Sequence, residues 1–164
     1  MEINRKISKV IKLLTEKNLT IAFAESVTGG FLSYQFSIAE GSAAVYLGSM
    51  VCYNPLLKQK ILQVDPDLIN KCTAESGEVT EKMLDGLMHI VHPDIGVSVT
   101  GLCTPGGSET PEKPVGTIFI AISYNLENHH FRFGNFGSPE KIVYQAVEDI
   151  CECVLEVVSE VKVV

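Results

Sequence analysis

The chain has 164 residues, of which 46% are apolar and 20% charged, and a formal net charge of −7. That length and apolar fraction fit one domain, read here as spanning 1–164, and exclude intrinsic disorder. The acidity excludes a nucleic-acid-binding face: 13 basic residues are scattered along the chain, and Arg5 and Arg132 are the only arginines.

The spacing of Ile3, Ile7, Val10, Ile11 and Leu14 predicts a helix over about Asn4 to Lys17. Thr20 to Ala24 is a short apolar run, hence a buried strand. Glu25-Ser26-Val27-Thr28-Gly29-Gly30 breaks that pattern, and a second helix follows from Phe31 to Ala39. Gly41 and Ser42 turn the chain into a strand from Ala44 to Tyr53. Pro55 suits the first turn of a helix reaching about Leu62, and Asp65 with Pro66 starts another to Asn70. Ser76 opens a helix whose stripe is Val79, Met83, Leu87 and Ile90. Asp94 to Thr100 is a third strand, followed by a loop rich in Gly, Pro, Ser and Thr from Gly101 to Pro114. Val115 to Tyr124 is apolar on both faces and so central. A turn at Glu127-Asn128 leads into an edge strand over His129 to Asn135, where His130 and Arg132 alternate with Phe131 and Phe133. Ser138 and Pro139 begin the last helix, with Ile142, Val143, Ala146, Val147, Ile150, Val154, Leu155 and Val158 as its stripe.

Helices alternating with strands, then a hairpin and a closing helix, predict a three-layer α/β/α sandwich around a mixed, mostly parallel sheet. No apolar run reaches the roughly 18–20 residues of a membrane span. The amphipathic N-terminal stretch does not read as a secretory signal. Five cysteines at irregular spacings, Cys52, Cys72, Cys103, Cys151 and Cys153, read as reduced thiols in a cytoplasmic protein. Cys151 and Cys153, two apart on one helix, are expected on different faces. No Cys/His group has zinc spacing, so no metal is expected.

Three segments carry chemistry. In Ala24-Glu25-Ser26-Val27-Thr28-Gly29-Gly30, a serine leaves the carboxyl end of a buried strand, and two glycines precede a helix. Ligands of open α/β sheets bind at such edges, and backbone N–H groups near glycines can hold an oxyanion. The competing reading is a helix cap by Ser26 or Thr28. The pattern is neither a GxSxG elbow nor a phosphate loop. In Tyr53-Asn54-Pro55-Leu56-Leu57-Lys58, a phenol and an amine lie five apart after the next strand. A serine needs a base, and no histidine is well placed. A desolvated lysine can serve, with a tyrosine relaying the proton, although either residue could equally be ordinary surface. Third, Thr100-Gly101-Leu102-Cys103-Thr104-Pro105-Gly106-Gly107 and the segment up to Gly116 form a long loop at a third strand end. Three such loops predict one composite pocket.

AESVTGG at 24–30, GSAAVYLGSMVCYNPLLK at 41–58, TAESGEVTEKM at 73–83, and VSVTGLCTPGG with PEKPVGTIFIAI at 97–122 resemble the CinA C-terminal domain family. The resemblance covers about residues 5–160 and suggests a stand-alone form of that domain. It implies an α/β/α sandwich. It also implies a nicotinamide-nucleotide amidase that hydrolyses nicotinamide mononucleotide to nicotinate mononucleotide and ammonia, without metal or cofactor. Ser26 matches the family's serine, and Tyr53 and Lys58 match its tyrosine and lysine. Glu25, Thr28, Gly29 and Gly30, with Thr100, Gly101, Pro105, Gly106 and Gly107, are then the expected substrate-binding residues. The oxyanion would lie near Thr28, Gly29 and Gly30 or in the 101–107 loop. The resemblance further implies a homo-oligomer, a dimer, with a small nucleotide as partner and no nucleic acid or membrane.

The chain departs from the family pattern at three places. Asn54-Pro55-Leu56 replaces the usual residues between the tyrosine and lysine. Cys103 and Thr104 stand where Ala and Gly are usual. The two arginines of the family's stretch before the last helix fall at Pro139 and Val143 here. Lys113, Arg132 and Lys141 are the remaining candidates for a phosphate. A related amide as substrate, or a nucleotide-binding module that has lost catalysis, are the alternatives these departures raise.

Overall fold

The computed structural model describes residues 2–160, so residue 1 and residues 161–164 of the expected 1–164 domain lie outside the described residues. The elements run α1 (Glu2–Lys17), β1 (Ile21–Glu25), α2 (Phe31–Ser37), β2 (Tyr46–Val51), α3 (Pro55–Leu62), α4 (Pro66–Cys72), α5 (Gly77–Val91), β3 (Ile95–Gly101), β4 (Thr117–Tyr124), β5 (Glu127–Gly134) and α6 (Pro139–Glu160). A single 3-10 turn, Ser42–Ala44, precedes β2 and shortens the strand expected from Ala44. The sheet has the order β2-β1-β3-β4-β5. β1 pairs in parallel with β2 and β3, while β4 is antiparallel to both β3 and β5. Four of the five strands therefore share one direction, the mixed sheet that the element order predicts.

Two unlike layers cover the sheet. Ile21 and Phe23 of β1, Val97 and Val99 of β3, and Ile118, Ile120 and Ile122 of β4 pack against α1, α2 and α6 in one aliphatic core. The opposite face is built from smaller groups. Ala22 and Ala24 meet Val79, Met83 and Leu87 of α5. Ser98 donates to the Thr80 carbonyl at 2.7 Å, and the Thr80 and Thr100 hydroxyls lie 2.8 Å apart. A Cβ on Gly96 would press within 2.4 Å of the Met88 sulfur. This small, polar-seamed face lets α5 approach the sheet closely while every buried hydroxyl keeps a partner.

Three sequence expectations shift. The β4–β5 turn is Asn125-Leu126, two residues before the expected Glu127-Asn128. Asn125 and Leu126 both adopt positive φ, 51° and 66°, as a two-residue hairpin demands, and Glu127 joins the strand. Ile90 is 43% exposed rather than buried. Cys151 and Cys153, two apart on α6, are both enclosed, since α6 is packed by α1, α2, β4 and β5. Burial pushes each thiol up to about 12. Finally, Thr110 and Lys113 form an isolated bridge, so the 101–114 loop carries a small turn of its own.

Candidate active site

The order β2-β1-β3 sets the carboxyl ends of three parallel strands side by side, and each strand hands the chain to one of the three loops singled out in the sequence. Ser26 follows β1 directly, and its N–H donates to the Val99 carbonyl of β3 at 3.0 Å. Cys52 follows β2, and its N–H donates to the Glu25 carbonyl at 2.8 Å. These bonds prolong the sheet by one residue on each strand and fix the two loop origins relative to each other. α3 then starts at once: the Asn54 side chain accepts from the Leu56 N–H at 2.9 Å, and Pro55 occupies the first helical position. Lys58 therefore emerges one turn into a capped helix, pointing back under the strand ends.

Lys58 has no exposed surface. Its Nζ lies 2.6 Å from Ser26 Oγ and donates to the Cys52 carbonyl at 2.9 Å. Among the described residues no carboxylate bonds it. Burial lowers its pKa to about 8, against a smaller opposing pull from Glu75. In its neutral form the amine would keep two N–H groups for donation and a lone pair within reach of the Ser26 hydroxyl proton. Ser26, 5% exposed, opens on its other side into a cavity of about 210 Å³. The cavity is also lined by Val27, Tyr53, Asn54, Glu75, Gly101, Leu102, Cys103 and Gly107, among others.

The other expected residues are distributed unevenly around this pair. Tyr53 lines the cavity but is 64% exposed, and among the described residues its hydroxyl bonds neither Ser26 nor Lys58. Gly101 and Gly107 line the cavity, whereas Thr100, Pro105 and Gly106 do not. Thr100 is fully buried on the Thr80 hydroxyl. At Gly101 a Cβ would lie 2.5 Å from the Thr117 carbonyl, so only glycine lets β3 end against β4 there.

Glu25 points away from the cavity. Its fully buried carboxylate accepts from Thr28 Oγ1 at 2.7 Å, Gly30 N at 3.0 Å, Leu32 N at 3.2 Å, Ser33 N at 2.9 Å and Ser49 Oγ at 2.8 Å. It is a helix anchor for α2, where a negative charge is favoured. Gly29 N is likewise spent on the Ser26 carbonyl at 3.0 Å. Gly30, at φ 96°, takes a left-handed turn that serves this anchoring. The oxyanion donors expected near Thr28, Gly29 and Gly30 are therefore occupied at Gly29 and Gly30. The backbone facing the cavity at Val27, and at Cys103 and Thr104 in the 101–107 loop, fits that role better.

The candidate phosphate cations are also committed or distant. Lys113 Nζ donates to Thr73 Oγ1 at 2.7 Å, to the Glu75 carbonyl at 2.9 Å and to Ser108 Oγ at 2.9 Å, pinning the long loop to the segment before α5. Arg132 donates to the Glu112 carbonyl and stacks 5.5 Å above the Phe119 ring. Lys141 is exposed on α6 and does not line the cavity. Glu75, which sequence reasoning missed, lines the cavity with a carboxylate. The signal available for it was its place just before the Ser76 cap of α5, in a motif otherwise read for its helix start. Among the described residues no group of three His, Cys, Asp or Glu side chains could hold a metal, and no helix is long and apolar enough to cross a membrane.

Fold and site together define a three-layer α/β/α domain with a buried serine–lysine pair at its strand ends. The sequence profile described as the CinA C-terminal domain matches residues 4–158, and the chain belongs to that family. A CinA-like protein of Thermotoga maritima is 43% identical over 133 residues, 81% of this chain and 32% of that protein. A putative competence-damage inducible protein of Alkaliphilus oremlandii is 42% identical over 116 residues, 71% of this chain and 28% of that protein. The chain thus spans about a third of the length of these curated relatives. The competence/damage inducible protein CihA of Agrobacterium tumefaciens superposes with a TM-score of 0.89 at 26% identity, covering 98% of this chain and 97% of that one. The fold alone is shared with the competence damage-inducible protein A of Klebsiella pneumoniae, at a TM-score of 0.92 and 24% identity over 98% of this chain and 99% of that one.

Proposed function

We propose that the chain is a serine–lysine amidohydrolase that deamidates nicotinamide mononucleotide to nicotinate mononucleotide and ammonia. The observation that carries this reading is the buried Lys58 Nζ at 2.6 Å from Ser26 Oγ, with its pKa lowered to about 8. Neutral Lys58 takes the hydroxyl proton as Ser26 Oγ bonds the carboxamide carbon. Backbone N–H groups of the Val27 turn or the Cys103-Thr104 loop receive the negative oxygen. As the C–N bond breaks, the Lys58 proton passes to the leaving nitrogen, and ammonia departs. Water then attacks the acyl-serine, Lys58 accepts its proton, and the proton returns to Ser26 Oγ as the acid leaves. Tyr53, at the mouth, is placed to close over bound substrate.

The alternative is a binding module without turnover. It draws on Tyr53, whose hydroxyl has no bond to the pair, and on the absence of any cation from the cavity lining among the described residues. Ammonia release from nicotinamide mononucleotide, nicotinamide riboside and nicotinamide, with Ser26→Ala as control, decides between them. Release that depends on Ser26 supports the amidase. Tight binding of the nucleotide without release supports the module.

A further inference from the structure

Glu75 is the one charged side chain lining the cavity among the described residues, and the structure holds it there with care. Its Oε2 accepts from Ser108 Oγ at 2.6 Å, and Ser108 Oγ in turn accepts from Lys113 Nζ at 2.9 Å. The same ammonium grips the Glu75 carbonyl at 2.9 Å and Thr73 Oγ1 at 2.7 Å. Thr73 holds φ at 70°, a region that β-branched residues avoid and that persists only where the surroundings impose it. One side of the carboxylate is thus clamped. Oε1 has no hydrogen bond among the described residues. Ser26, Tyr53 and Asn54 share the cavity with it.

We infer that Glu75 reads the amide: its free Oε1 accepts an N–H of the substrate's carboxamide beside Ser26, and its charge repels the carboxylate of the product. This assignment rests on the amidase reading and adds to it the basis for preferring amide over acid. A primary amide presents two N–H donors where the acid presents only oxygens, so the same carboxylate attracts one and opposes the other. It also supplies a way to clear the product. The clamp matters because a positioned acceptor discriminates, whereas a mobile one would swing into water.

Glu75 has a second, separable effect. The titratable groups acting on Lys58 are Glu75, from the segment before α5, and the Cys52 thiol at the end of β2. Removing the Glu75 charge lets burial lower Lys58 further, so the acid limb of the activity profile moves below its original position. Ser108→Ala, which loosens the clamp and keeps the charge, leaves that limb in place.

The test measures binding of two amide–acid pairs, nicotinamide mononucleotide with nicotinate mononucleotide and nicotinamide with nicotinate. Ser26→Ala protein is used with and without Glu75→Gln, alongside ammonia release by the Ser26 forms. The expected result is a preference for amide over acid that Glu75→Gln reduces at least tenfold, mainly through tighter acid binding, together with the downward pH shift. An unchanged ratio in folded Glu75→Gln protein overturns the assignment even if ammonia is released. A changed ratio without ammonia release sustains it and sinks the amidase. Failure of all four compounds to bind removes both.

Discussion

The end of β1 and the first turn of α3 each bury an ionisable side chain and treat it in opposite ways. Glu25 is surrounded by five donors from its own turn, from α2 and from β2. Lys58, in the first turn of the neighbouring α3 and equally buried, has among the described residues only a hydroxyl and one carbonyl. A carboxylate so fully bonded is a structural ion, compensated for its lost hydration. An ammonium so poorly compensated gives up its proton more readily than an ordinary lysine, as the base of the proposed reaction must. Two residues of the same motif-bearing edge thus divide into scaffold and chemistry by the count of their partners.

That division is broken most severely at the pair itself. Ser26→Ala and Lys58→Met are each expected to lower ammonia release by on the order of 10⁴-fold, measured at pH 8.5 or so. Lys58→Met should unfold at or above the original temperature, since it removes the buried amine, whereas Ser26→Ala takes away one of that amine's two partners and should unfold below it. The reverse is expected of Glu25→Ala. Five donors lose their acceptor, so urea unfolding should show a loss of more than about 3 kcal/mol, with activity falling only as the fold does. Glu25→Gln, which keeps one acceptor oxygen, should lose less than half of that.

Titration sharpens the same contrast. Lys58 has a folded pKa of about 8 against 10.5 for an ordinary lysine. Below about 8 both folded and unfolded chains hold the proton, and the fold carries a poorly solvated charge. Between about 8 and 10.5 the unfolded chain alone holds it, so stability rises with pH across that window, by up to about 3 kcal/mol. Lys58→Met should lack this rise when denaturation midpoints are compared at pH 7 and pH 10. Activity should climb with unit slope towards a plateau above about pH 8. A plateau already reached at pH 6 contradicts a lysine base of this pKa. The smallest effect belongs to Tyr53→Phe. With its ring largely exposed, stability should stay within about 0.5 kcal/mol, while kcat/KM falls by about tenfold if the hydroxyl closes over substrate.

Much of this was legible in the sequence because it follows from chain direction. Apolar runs ending at Ala24, Tyr53 and Thr100 alternate with helices and so read as largely parallel strands, and parallel strands bring their carboxyl ends together. Chain direction gathers the three loops into one pocket, and the family resemblance singles out Ser26 and Lys58 within it. The role of Glu25 was not legible. Its donors include Ser33 and Ser49, and only the fold reveals that a residue beside the serine turns its side chain towards α2 and β2. Nor could spacing show that Gly29 and Gly30 spend their N–H groups on Ser26 and Glu25. Glu75 stayed hidden for the same kind of reason. Its significance comes from Lys113, 38 residues on, closing the loop over it.

The sulfur at position 103 has a practical bearing on how inhibitors of this protein should be read. Cys103 is partly exposed at the cavity wall, whereas Cys52, Cys151 and Cys153 are enclosed. An alkylating reagent applied to the native protein therefore reaches Cys103 and the half-buried Cys72 first, and a group attached to Cys103 fills the space beside Ser26. On the amidase reading, such a reagent would silence the protein by filling the cavity, with no catalytic thiol needed. Cys103→Ala keeps the backbone N–H at that position and would make the protein resistant to the reagent.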